Sequence, residues 1–315
     1  MRTPIIFDTD PGVDDAQAIA LIMADPDIEV LGMTTTYGNV PVETATSNAL
    51  LLAELGGHSI PVAQGAARPL SKTPNPFPTF VHGVNGLGDI DLPTPTTRAV
   101  DTTAAQFIVD ETRKRPGEIT LVAVGPLGNL AVALQLDPTL VDRVKQVIVM
   151  GGSVKQGGNV TPLAEANIYS DPHAAHRVFT AGWPLVMVGL DVTHKTHIDP
   201  ERMARIAKGQ GKLGEVLADS YSFYADFYRK ALGINGCCPH DSCAVAWLKH
   251  PELFKTVRGH MSVITDGLAQ GQTVFAPESA VFAEDRWSQT PLIDVCMEVD
   301  GERVSQWIED VLTSH

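Results

Sequence analysis

Basic residues are scarce in this 315-residue chain: 23 Lys and Arg stand against 37 Asp and Glu, a formal net charge of −14. That balance excludes nucleic acid as a partner, because phosphate recognition needs basic stripes and the sequence has none. An anionic membrane surface is excluded on the same ground. Cysteine is sparse too. Cys237, Cys238, Cys243 and Cys296 form no C-x-x-C pair and no regular framework, so they read as free thiols in a reducing cytoplasm. No apolar run is long enough to span a bilayer, and no signal peptide precedes the first predicted strand. The expectation is a soluble cytoplasmic protein. Internal repeats and low-complexity blocks are also missing.

What the chain does have is a 44% apolar share, ample for a core, and a concentration of acid near its start. In Pro4-Ile5-Ile6-Phe7-Asp8-Thr9-Asp10-Pro11-Gly12-Val13-Asp14-Asp15-Ala16 four carboxylates fall within eight residues. Ile5, Ile6 and Phe7 read as a buried strand, Pro11-Gly12 as a turn and residues 16–24 as a helix. The acids therefore sit at a strand's carboxyl end and a helix's amino end, where α/β proteins place ligands. Helix capping accounts for one or two of them. Four crowded carboxylates repel and raise one another's pKa unless a cation lies among them. Oxygen-only donors suit a hard cation such as Ca²⁺ or Mg²⁺, and the EF-hand spacing is absent, so further ligands must come from distant positions.

The rest of the chain alternates. Strands are predicted at 28–36, 60–62, 119–124, 144–150 and 185–188, and helices at 41–55, 102–115, 127–135 and 171–181. This order predicts an α/β fold with an open, mostly parallel, Rossmann-like sheet and helices on both faces. Past Asp191 come helices at 199–208 and 212–231 and a third from about residue 241, a helical addition over one end of the sheet. An antiparallel pair at 257–265 and 272–275, a late strand at 292–299 and a closing helix at 303–312 complete the chain. No linker divides it, so residues 1–315 read as one domain.

Three further stretches bear on chemistry. The proline-rich loop 65–97 carries His82-Gly83, and a loop this long is a functional segment or a slack one. Residues 158–167 follow a strand's carboxyl end and offer Asn159, Glu165 and Asn167, donors and acceptors suited to sugar hydroxyls, although Gly-Asn is also common in plain turns. His240-Asp241 precedes a helix, where Asp241 alone would pass for an N-cap.

The run from Asp8 to Ala16 resembles the N-terminal signature of the inosine-uridine-preferring nucleoside hydrolase family. Tyr37-Gly38-Asn39, His82-Gly83, Val124-Gly125-Pro126-Leu127, Met150-Gly151-Gly152, Gly158-Asn159 through Asn167, Ser170-Asp171-Pro172 and His240-Asp241 agree with it in order and spacing. The resemblance implies a Ca²⁺-dependent ribonucleoside hydrolase. It implies metal ligation by Asp10, Asp15, the Val124 carbonyl and Asp241, with Asp10 also the base that activates water and Asn39 beside that water. Asp14, Met150, Asn159, Glu165 and Asn167 would bind the ribose, and Asp8 would support the ligands from behind. His240 would assist the departing base, with His82 and Tyr228 closing over it from flexible segments. Homo-oligomers, dimers or tetramers, are the implied assembly.

Two positions depart from the family pattern. Ala166 stands where many members carry phenylalanine, which widens the wall near the ribose 5′ side, and Gly128 stands where threonine is common. His240 beside Asp241 is similar to the inosine-uridine or pyrimidine branch, because the purine-specific branch uses tryptophan stacking. Two other readings of Asp8-Thr9-Asp10 stay open on the residues: a phosphohydrolase of the haloacid dehalogenase type, and a non-catalytic nucleoside- or ribose-binding protein.

Overall fold

The computed structural model describes residues 2–314. Its strands are β1 (Thr3–Thr9), β2 (Ile28–Thr35), β3 (Val62–Gln64), β4 (Thr120–Ala123), β5 (Gln146–Met150), β6 (Leu185–Val188), β7 (Phe254–Val263), β8 (Thr273–Pro277) and β9 (Leu292–Val299). Together they form one nine-stranded sheet in the order β3-β2-β1-β4-β5-β6-β9-β7-β8. The first six strands and β9 pair in parallel, while β7 runs antiparallel to β9 and β8. The helices are α1 (Val13–Ala24), α2 (Val42–Leu55), α3 (Thr79–His82), α4 (Ala104–Lys114), α5 (Gly128–Leu136), α6 (Ala166–Ser170), α7 (Pro172–Phe179), α8 (Leu190–Thr193), α9 (Pro200–Gly209), α10 (Gly211–Leu232), α11 (His240–Lys249) and α12 (Gly301–Thr313). None of these helices is long and apolar enough to cross a membrane.

A central parallel strand is covered on both faces, and β1 shows why its apolar run is unbroken. Ile5 and Phe7 point into one core and Ile6 into the other, and all three are fully buried. The first core collects apolar faces of α1, α2, α9, α10, α11 and α12; the second collects those of α4, α5 and α7. The helical addition anticipated past Asp191 therefore packs on the same face as α1. Ion pairs from Arg202 and Arg205 to Glu309 tie α9 to α12.

Sequence periodicity misplaces several borders. The strand expected at 60–62 lies at Val62–Gln64, and the strand expected from 144 begins at Gln146. The helix expected at 171–181 is Pro172–Phe179, with Asp171 as its N-cap, and it follows α6, which lies inside a stretch that reads as a polar loop. The single-turn helices α3 and α8 escape because four residues carry no period. Asp241 is not an N-cap: α11 already starts at His240, which puts the carboxylate in the first turn.

The chain leaves β1 toward β2 and β3, then returns to the other side of β1 through β4, β5 and β6. Such a reversal opens a crevice at the strands' carboxyl ends. Asp10 and Val124 follow directly from β1 and β4 at that point. Phe179, fully buried in the second core, should on truncation to Ala cost about 3–5 kcal/mol in urea unfolding. Leu136→Ala on the exposed end of α5 should change stability by less than about 0.5 kcal/mol. Equal effects at the two positions would contradict this partition of the core.

Candidate active site

The turn from β1 into α1 decides where the acids go. Gly12 is the N-cap of α1, and a Cβ there would stand 2.6 Å from His82 Nδ1 and 2.8 Å from Asn39 Nδ2, so only glycine allows this approach. Asp14 and Asp15 fall in the helix's first turn. The Asp15 carboxylate accepts from the Thr9 hydroxyl (2.5 Å), the backbone N–H groups of Asp10 (3.2 Å) and Gly12 (3.0 Å), and Asn39 Nδ2 (3.0 Å). Asp10 accepts on one oxygen from the Asn39 backbone N–H at 2.7 Å. Asp8 accepts from Thr34 Oγ1 (2.6 Å) and Asn129 Nδ2 (2.7 Å), so its hydrogen bonds go to β2 and α5 rather than to the neighbouring acids.

These donors do not suffice. Among the described residues, one oxygen each of Asp8, Asp10 and Asp14 is buried without a hydrogen-bond partner. Burial lifts Asp8 to about 7 against its hydrogen bonds from Thr34 and Asn129. Burial and then repulsion from Asp15 lift Asp14 to about 8. Asp10 and Asp241 rise well above the usual carboxylate range for the same two reasons, and Asp15 rises through burial against the donors around it. Oxygens of Asp14, Asp15 and Asp241 lie within 4.8 Å of one another. Crowded, buried, under-donated carboxylates with an all-oxygen donor set fit a hard divalent cation.

Above this floor lies a cavity of about 320 Å³. Asp14, Asn39, Val124 and Asp241 line its base; Asp8, Asp10 and Asp15 sit outside the lining. Met150, Asn159, Glu165 and Asn167 form one wall. Glu165 caps α6, accepting from the N–H groups of Asn167 (2.9 Å), Ile168 (3.1 Å) and Gly152 (2.9 Å). Asn159 Oδ1 accepts from the Ala166 N–H, which leaves its amide donors to the cavity. Asn167 Nδ2 donates to the carbonyls of Val124 (2.7 Å) and Met150 (3.2 Å). Ala166 lines the cavity as the first residue of α6, whereas Gly128 opens α5 outside the lining.

The facing wall is built from His82, Tyr224, Tyr228 and His240, with Phe80, Phe227 and Leu232 at the mouth. His240 Nε2 meets the Tyr228 hydroxyl at 2.6 Å, and its Nδ1 meets Thr193 Oγ1 at 2.7 Å. Burial, then the neighbouring histidines, push His240 down to about 3; burial does the same to His82. Both rings are neutral. His82 Nδ1 accepts from the Val13 N–H at 3.2 Å, which leaves the proton on Nε2. Both expected closing residues are buried: His82 ends α3, and Tyr228 lies within the 22-residue α10.

The structure thus gathers most residues singled out from the sequence around one crevice, with Asp8, Asp10 and Asp15 in the carboxylate cluster outside its lining and Gly128 away from it. It adds Thr9, Thr193, Tyr224 and Asp191. Asp191 accepts from the N–H groups of Val154 (2.7 Å), Lys155 (2.7 Å) and Gln156 (3.1 Å), bracing the loop that leads to Asn159. Thr9, Asp191 and Thr193 all lie at or just past a parallel strand's carboxyl end, and a scan of those ends alone would have found them.

An open α/β sheet with a carboxylate floor at its switch point is the frame of a metal-assisted hydrolase. The chain belongs to the inosine-uridine preferring nucleoside hydrolase family, which matches residues 5–306. It is 39% identical over 313 residues to a probable uridine nucleosidase 1 of Oryza sativa subsp. japonica, covering 99% of this chain and 97% of the relative. Among solved structures it is similar to a plant nucleoside hydrolase, the PpNRh1 enzyme, with a TM-score of 0.95, 37% identity and full coverage of both chains. A purine-preferring ribonucleoside hydrolase from Gardnerella vaginalis aligns with a TM-score of 0.90 and 33% identity over 99% of this chain and 100% of its own. The protein is accordingly an enzyme, a nucleoside hydrolase.

An acid whose folded pKa is raised stabilises the fold while its proton is held and loses that contribution as pH rises from about 3.8 through the folded value. In chelator, the urea midpoint is therefore expected to fall between pH 5 and about pH 8, the range spanned by Asp8 and Asp14. Added Ca²⁺ should raise the midpoint more at pH 8 than at pH 5. A calcium shift equal at both pH values would contradict a site among these acids.

Proposed function

We propose that the enzyme is a Ca²⁺-dependent ribonucleoside hydrolase that splits the N-glycosidic bond of pyrimidine or inosine-type purine nucleosides to free base and ribose. The observation that carries this reading is the pairing of an under-donated carboxylate floor with a neutral His240–Tyr228 hydrogen-bond pair across one nucleoside-sized cavity. Asp10, Asp15, the Val124 carbonyl and Asp241 hold the ion; Val124 keeps a second lone pair beside its bond from Asn167. Bound there, calcium supplies positive charge that fixes the ribose hydroxyls and acidifies a water. Asp8 backs the floor from behind.

Asp14, Asn159, Glu165 and Asn167 orient the ribose over Met150, leaving its anomeric carbon between floor and facing wall. Asp10 takes the proton of the attacking water, and Asn39, bonded to both Asp10 and Asp15, holds that base in place. As the C–N bond breaks, its electron pair moves to the base and positive charge grows on the ribose, which the carboxylates stabilise. Neutral His240 and Tyr228 answer the charge on the base with hydrogen bonds rather than with a cationic acid, and His82 covers the opposite edge. The wider 5′ wall at Ala166 leaves room for a modified ribose.

Among the described residues no tryptophan lines the cavity, which supports the inosine-uridine or pyrimidine branch. The similarity to a probable uridine nucleosidase 1 of Oryza sativa points the same way. No lysine lines it either, which speaks against phosphoryl transfer. A role in nucleoside salvage in the cytoplasm, as a homodimer or homotetramer built from one-domain chains, completes the proposal.

Asp10→Ala should remove turnover by at least about 10³-fold while far-UV circular dichroism stays unchanged; substantial ribose release by that variant would refute the base assignment. His240→Ala should slow uridine by about 10²-fold or more and spare p-nitrophenyl riboside, whose leaving group needs no help. Equal losses on both substrates would take His240 out of the leaving-group role.

A further inference from the structure

Thr193 closes the single-turn helix α8, just beyond the carboxyl end of β6, and is fully buried. Its hydroxyl meets one polar partner among the described residues, His240 Nδ1 at 2.7 Å. His240 Nε2 meets the Tyr228 hydroxyl at 2.6 Å, and that hydroxyl lies 3.4 Å from the hydroxyl of Tyr224. The buried Thr193 hydroxyl has Nδ1 as its partner, so Thr193 donates and Nδ1 accepts. With Nδ1 accepting, the ring proton sits on Nε2, Nε2–H donates to Tyr228, and the Tyr228 hydrogen is left to face Tyr224. The reverse order would leave the buried Thr193 hydrogen without an acceptor, and buried donors are paired.

Resting on the leaving-group role proposed for His240, we infer that Thr193 is a positioning residue whose hydroxyl donates to Nδ1 of His240 and fixes the tautomer with the proton on Nε2. The hydrogen bond accepted at Nδ1 draws electron density from the ring and strengthens Nε2–H as a donor to the Tyr228 oxygen. The Tyr228–Tyr224 contact is the longest in the chain, so it is the link that a bound base breaks when it takes the Tyr228 hydrogen.

Thr193→Val keeps the side chain's shape and removes the hydroxyl; Thr193→Ser restores it. The valine variant should lose about 10- to 100-fold in kcat on uridine, stay within about threefold on p-nitrophenyl riboside, and have most of its uridine loss recovered in the serine variant. Activity on the activated riboside also reports that the variant is folded. Equal losses on both substrates, or no recovery with serine, would overturn the inference. His240→Ala run alongside separates the two readings: selective loss there without it in Thr193→Val sinks Thr193 alone, and no selectivity in either sinks the leaving-group role. Independently of turnover, ¹⁵N-histidine NMR of the wild type should show His240 protonated on Nε2. Protonation on Nδ1 would overturn the assignment.

Discussion

Repulsion among buried carboxylates is the constraint on which this enzyme turns. A strand, a three-residue turn and a helix start bring Asp8, Asp10, Asp14 and Asp15 together, and the first turn of α11 adds Asp241. Protein donors are distributed unevenly over them. Asp15 is surrounded by four, while Asp8, Asp10 and Asp14 each keep a buried oxygen with none among the described residues. A site of that kind is stable only when a cation or bound protons supply the missing charge. Glycine at position 12 is part of the same constraint, since His82 and Asn39 could not otherwise close on the turn.

The two walls above the floor answer different chemical needs. The wall of Asn159, Glu165 and Asn167 is pinned to backbone groups and presents oriented amide and carboxylate groups to the cavity. The other wall is a line of buried, neutral aromatic hydroxyls and imidazoles, with phenylalanines beside it. Burial keeps His240 and His82 uncharged, and the low local polarity strengthens the hydrogen bonds made there. Burial drives both the floor and this wall toward their neutral forms, so a cation among the acids is what would keep the floor charged beside the neutral wall.

Much of this was legible in the sequence, and the limits of legibility are physical. Alternating apolar runs gave away the parallel sheet because a doubly covered strand such as β1 must be apolar throughout. The acid cluster stood out because like charges so close in sequence must also be close in space. Asn159, Glu165, Asn167 and His240 were visible through motif order, although Glu165 also caps a helix that its polar neighbours concealed. Thr193 and Asp191 were hidden because a threonine and an aspartate near a strand end look like turn chemistry, and their partners lie 47 and 35–37 residues away. Tyr224 was hidden by helical spacing, since its apolar ring satisfies the pattern of a core position while its hydroxyl serves the cavity.

The brace that Asp191 places on the loop before Asn159 has a thermodynamic meaning. Three consecutive N–H groups converge on one carboxylate, so residues 154–156 surrender their conformational freedom when the chain folds. A loop ordered only by substrate would charge that entropy against affinity. On the proposed reading, the sugar would meet a surface already ordered, and the energy of its hydroxyl contacts would be left for the bond that is to be cut.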